Sequence, residues 1–213
     1  MSRFGDVYEN TVTREYAVVL RGSEDRGNGP AIVHLTAGPG AAVVGEHTHP
    51  HMQERFTVVR GRLDARIAGE VRSLGPGESA TVGAGVAHDW WNASNTEEAH
   101  VLIDIDKAPG AHGVDLNRFE LLIGTLFGLA NDGGVDRKGR PFPFQAAVIA
   151  VIAREFSDVI VFTHPPRAIQ FVALGVLAPI GKLLGYRATY YRYSRPHRRA
   201  PPDPEIVAAA RLS

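Results

Sequence analysis

The feature that most constrains this 213-residue chain is a change of period near residues 109–113. Upstream, short β-like runs are cut by Gly, Pro, Asn and Asp: 31–36 (AIVHLT), 62–68 (RLDARIA), 79–82 (SATV) and 100–106 (HVLIDID). In the second of these, Leu63, Ala65 and Ile67 share one face while Arg62, Asp64 and Arg66 share the other, the two-residue period of a half-buried strand. Several short strands with regular turn signals predict a sandwich or small barrel. Downstream, Phe119, Leu122, Ile123, Leu126 and Phe127 fall at helical spacing. Asn117 is the expected N-cap, Glu120 its reciprocal acid, and Gly133–Gly134 the stop. Two further helices, about 143–156 and 166–184, each start at a proline, which a first turn tolerates.

The expected division is a β-barrel over 1–111 with its core at about 31–106, a helical extension over 112–194 packed on the barrel or a partner, and a flexible tail over 195–213. That tail is rich in Pro and Arg. Lysines and arginines balance the acids at 23 each, so no global field points to nucleic acid or an anionic surface. The arginine–tyrosine mixture late in the chain reads as solvated. No uncharged run approaches the ~18 residues of a membrane span, and the N-terminus has no apolar signal-peptide core. The chain has no cysteine, which rules out thiolate ligands and nucleophiles and suits a reducing compartment. The expectation is a soluble, cytoplasmic protein with no membrane or nucleic-acid partner.

Chemistry concentrates in GEHTHPHMQERFTVVRG, 45–61. His47 and His49 alternate, so on one strand both aim ring nitrogens at the same side. His51 has the same parity, but Pro50 favours a turn there and leaves His51 on the surface. Glu54 has the opposite parity. A bend after His49 lets it open the neighbouring strand, with Glu54, Phe56 and Val58 facing inward. A second segment, 77–92 (GESATVGAGVAHDWWN), offers His88 as a third imidazole and Trp90 on the same face. Trp91 then points outward, under the helical extension. Three neutral imidazoles and a carboxylate make a site suited to Fe(II), Mn, Ni, Co, Cu or Zn. His34 and His100 lie on strand faces opposite the apolar ones and are expected to point outward.

The two segments resemble the paired motifs of the cupin superfamily. The first is His47-x-His49, four residues, Glu54, six residues, Gly61; the second is Gly77, five residues, Gly83-x-Gly85, two residues, His88, three residues, Asn92. Gly83 stands where the family has proline, and Gly40 lies one residue too far upstream to be the leading glycine of the first motif. The resemblance implies a mainly β, double-stranded β-helix barrel, with the helical extension outside it. It implies one divalent transition metal per chain, Fe(II) favoured, held by His47, His49, Glu54 and His88. Phe56, Val58 and Trp90 are the expected pocket walls, and Glu54 doubles as the catalytic base. The implied activity is oxygenation of a small organic molecule. A non-oxidative isomerase or lyase and a non-catalytic metal- or ligand-binding module are the alternatives. A homodimer is expected because such barrels commonly pair.

Overall fold

The computed structural model describes residues 2–42, 45–136 and 139–212. Its strands are β1 (Asp6–Asn10), β2 (Glu15–Arg21), β3 (Ala31–Ala37), β4 (His47–Thr48), β5 (Met52–Arg60), β6 (Leu63–Ile67), β7 (Glu70–Leu74), β8 (Ser79–Val82), β9 (His88–Trp91), β10 (Ala99–Lys107), β11 (Val161–Phe162) and β12 (Arg198–Arg199). They form two antiparallel sheets, β12-β1-β2-β3-β10-β5-β8 and β11-β4-β9-β6-β7. Alternation places Ala17, Leu35, Phe56, Val58 and Val101 of the first sheet against Leu63, Ala65 and Trp90 of the second, in one buried cluster. The fold is mainly β with C-terminal helices, as the change of period predicts.

Turn chemistry fixes the connections that matter to the site. Gly61 takes φ 76°, and a Cβ there would lie 2.3 Å from the carbonyl oxygen of Glu98. Only glycine satisfies both demands. Asn92 is a structural pin rather than a ligand: its buried amide donates to the carbonyls of Ala37, Gly38 and Glu97.

Four helices follow or flank the sheets: α1 (Asn117–Leu129), α2 (Ala146–Glu155), α3 (Arg167–Leu183) and α4 (Pro204–Leu212). The expected capping box at α1 does not form. Leu116 is the N-cap, with no side-chain cap bond. Asn117 instead accepts from Arg26, and Glu120 accepts from Ser2 Oγ, because tertiary partners outcompete the local turn. Leu116 and Leu122, with Val148, Ile152 and Phe156, join Ala31, Met52 and Ile105 at one end of the sheets in a second buried cluster. The extension therefore shares a core with the barrel.

Two features differ from the sequence reading. Residues 6–21 add two strands at the edge of the first sheet, upstream of the expected core. The tail is also anchored where a flexible one was expected: β12 pairs with β1, and Arg198 and Arg199 bond to Glu9 and Asp6 at 3.0 and 2.9 Å. Ile206 of α4 is fully buried against Ile32 and Leu102. His34 does face away from the inter-sheet core, but this cover leaves it only 6% exposed and stacked on His100 at 5.3 Å. Trp91 is half-buried under the guanidinium of Arg66, at 5.6 Å, rather than under a helix.

Candidate metal centre

Local folding brings four side chains to one point. His47 on β4 pairs directly with His88 on β9, and His49 follows β4 in the turn made by Pro50. Glu54 lies on β5, on the inward face shared with Phe56. The turn at Gly83–Gly85 ties the two segments together, since the Gly85 amide donates to the His49 carbonyl at 2.8 Å. One donor atom from each of His47, His49, Glu54 and His88 lies within 4.8 Å of the others, and all four residues are buried. His51 is exposed on the turn and belongs to no such group.

The hydrogen-bonding of the imidazoles is uniform. Each Nδ1 faces a main-chain carbonyl: His47 to Gly45 at 2.7 Å, His49 to Val159 at 2.7 Å, His88 to Val86 at 3.0 Å. With Nδ1–H donating, the Nε2 atoms turn their lone pairs to the common centre, the tautomer a metal ligand requires. His88 Nε2 sits 2.9 Å from Glu54 Oε2, and His49 Nε2 sits 3.5 Å from the same oxygen. His49 Nε2 is buried and has no hydrogen-bond partner. An orphaned imidazole nitrogen beside a carboxylate is costly in a protein interior unless something bonds to it. A divalent cation supplies that bond, so the residues present fit a metal.

Charge points the same way. Burial, reinforced by the neighbouring His49 and His88, pushes the His47 pKa down to about 3, keeping that ring neutral. Burial alone would raise the Glu54 pKa, but the adjacent His49 and His88 rings outweigh it and hold the carboxyl well below its usual range. Burial also opposes charge on His88, and the bond to Glu54 reverses that, raising its pKa. A cation arriving at the centre replaces that shared proton as the counter-charge of Glu54.

The cluster opens on a cavity of about 460 Å³ with mostly apolar walls. Trp90 lines it, as expected from parity. Phe56 and Val58 do not: both are fully buried between the sheets, behind the cavity wall. Their place is taken by residues from outside the barrel, which the sequence reading missed. The Phe119 ring stands edge-on to His49 at 5.7 Å and the Phe162 ring to His47 at 6.2 Å. β11 pairs with β4, setting Phe162 opposite His47. Nothing in local sequence marks Val159, because its role is a main-chain carbonyl 110 residues from the histidine it orients.

Two apposed antiparallel sheets that gather three imidazoles and a carboxylate on their inner face define a small barrel-type protein with a potential metal site. Residues 33–105 match the cupin domain family, so the chain carries a cupin domain. Comparison with curated proteins finds no match. Among solved structures, the chain is similar to a predicted oxalate decarboxylase from Thermotoga maritima (19% identity, 50% of this chain and 94% of that one, TM-score 0.43). It is also similar to a cupin-superfamily sugar phosphate isomerase from Silicibacter pomeroyi (22% identity, 50% and 71%, TM-score 0.40). A third is the Cnp3 cupin domain of Schizosaccharomyces pombe (13% identity, 45% and 66%, TM-score 0.39). The chain thus spans just under two thirds of that third protein, and these alignments leave half or more of this chain unmatched. No helix of the described residues is long and apolar enough to cross a membrane.

Proposed function

We propose that the protein is a metal-dependent enzyme, an oxygenase of a small and largely apolar organic molecule. One observation carries this reading: three inward-turned imidazole nitrogens and one carboxylate converge beside a largely apolar cavity. His47, His49, His88 and Glu54 would hold one divalent ion per chain, with Fe(II) favoured. When bound, the ion supplies Lewis-acid neutralisation of an enolate or phenolate oxygen and electrons for dioxygen. Glu54 is the residue placed to take a substrate proton, since its carboxylate stays ionised and can alternate between ligation and proton transfer. Trp90, Phe119 and Phe162 exclude water from the centre, which strengthens each electrostatic contact there. Arg21 is the one lysine or arginine on the described lining, and it is exposed at the rim. A phosphorylated or polycarboxylate substrate would find little compensation inside.

Oxygen uptake by Fe(II)-loaded protein across a panel of phenols and diketones tests the assignment. The expected result is one metal per chain and oxygen consumption with some panel members, abolished in Glu54→Gln. Product formation without oxygen uptake would make the protein an isomerase or lyase. Full metal occupancy without any turnover would make it a binding module.

Domain boundaries follow the same reading: a barrel over 1–111 and an extension over 112–194 that completes its site. The extension also supports a homodimer. Ile169, Val172, Val176, Ile180 and Leu183 follow helical spacing along α3, each exposed, with Leu183 at 88% and neighbouring Phe171 at 82%. A contiguous exposed apolar stripe of this kind marks an interaction surface. A second copy laid α3 against α3 would cover it. Light scattering should then report a dimer that Phe171→Glu/Val176→Glu converts to a monomer with unchanged metal content. A monomeric wild type, or one that binds anionic vesicles through α3, would overturn the pairing.

A further inference from the structure

The cavity has a second polar end that the metal reading does not use. Glu15 opens β2 on the inner face of the first sheet and is 8% exposed, yet it lines the same cavity as Glu54. Register sets the two apart. Glu54 lies opposite Ile105 of β10, while Glu15 lies opposite Ala37 of β3, itself opposite Ala99 of β10. The six-residue step from Ala99 to Ile105 corresponds to about 20 Å along the strands at ~3.3 Å per residue. The two carboxyl groups thus occupy opposite ends of one apolar chamber.

The surroundings of Glu15 are a partly completed polar nest. Oε2 accepts from Thr13 Oγ1 and, at 3.5 Å, from Asn10 Nδ2, while Asn10 Oδ1 accepts from the amides of Val12 and Thr13. Oε1 has no hydrogen bond among the described residues. No charged group of the described residues bears on it, and burial, eased only by the Thr13 hydroxyl, pushes its pKa up to about 7. One step toward the metal end, Tyr8 lies opposite Ala17 and also lines the cavity. A carboxyl that is held this dry and left with one open oxygen is an unused hydrogen-bonding site.

We infer that Glu15, braced by Thr13 and Asn10, is the far anchor for the substrate: it receives a hydroxyl group on an elongated apolar molecule whose other end reaches the imidazole–carboxylate centre. A hydroxyl suits this place because it can accept from the protonated carboxyl and donate to the ionised one. It therefore stays bound as Glu15 titrates near neutrality. An ammonium would be held only by the ionised form, and a carboxylate only by the protonated one. The inference rests on the cavity being the substrate's chamber, not on which metal sits at its other end.

The test uses full-length protein freed of metal with chelator, so it stands or falls apart from the metal assignment. Octan-1-ol and 1-methoxyheptane are matched in heavy atoms, but only the alcohol can donate. Calorimetric titration at pH 9, where Glu15 is ionised, should show the alcohol bound about tenfold more tightly, the usual effect of one such bond, and the alcohol's own affinity should change little at pH 6. Glu15→Leu should erase the preference, Glu15→Gln should retain part of it, and Glu54→Gln should leave it unchanged. Loss of the preference in Glu54→Gln but not in Glu15→Leu would place the hydroxyl at the imidazole end and overturn the inference. Equal affinity for the two probes in wild type would do the same. If Glu15→Leu does not fold, infrared difference spectra decide. At pH 9 the carboxylate band absent from Glu15→Gln must shift with octan-1-ol and not with the ether, and no shift refutes the anchor.

Discussion

Replacing His49 by alanine lowers metal affinity by more than about 100-fold, while His51→Ala leaves it within a factor of about two. Adjusting only the groups that orient a metal ligand typically costs 10–100-fold, so removing a ligand nitrogen costs more. His51 shares the alternation of His47 and His49 in sequence, but its ring is exposed on the turn. His49 is held on both sides, by the Val159 carbonyl at Nδ1 and by the Glu54 oxygen near Nε2. Metal stoichiometry by elemental analysis, with competition against a chromophoric chelator, separates the two variants. Equal loss in both, or loss in His51→Ala alone, would reassign the ligands.

A chain ending after Lys107 should not give a soluble, cooperatively folded barrel. Met52, Ala31 and Ile105 are at most 3% exposed because Leu116, Leu122, Val148, Ile152 and Phe156 cover them. Burial of each of those five side chains is worth about 2 kcal/mol, together comparable with the roughly 5–15 kcal/mol that stabilises a whole domain. The same cut removes Phe119, Phe162 and the Val159 carbonyl from the centre, so any fragment that survives should bind metal weakly. Soluble yield, a thermal melt and metal affinity of the fragment check this. A monomeric fragment with a sharp transition and undiminished affinity would show that the extension is dispensable to both core and site.

The sheets were legible because their strands are half-buried, and half-burial writes itself as alternation. Leu63, Ala65 and Ile67 read as a strand and are one. The first two strands were not placed: β1 (DVYEN) is short and β2 (EYAVVLR) begins with Glu15, so neither displays a plain apolar alternation. In β2 the buried end is occupied by a carboxyl, which sequence patterns assign to solvent. Phe56 and Val58 illustrate a different limit. Parity shows correctly that they point inward, but whether an inward side chain touches a cavity or fills the space behind it depends on what packs opposite. The tail at 198–206 was read as loose because its order comes from ion pairs to Asp6 and Glu9 and from a single anchor, Ile206.

By itself, the sequence determined the order of the main sheets and helices, the limits of α1, α2 and α3 to within a few residues, and which four side chains could meet. Motif spacing and strand parity are local properties that survive in the linear chain. Tertiary structure alone decided that the carbonyl of Val159 orients His49, that Phe119 and Phe162 wall the centre, and that Glu15 faces Glu54 down one chamber. Each of these joins residues far apart in the chain through packing and main-chain atoms. No residue type announces such contacts, because the groups that make them become neighbours only when the sheets close and the helices dock.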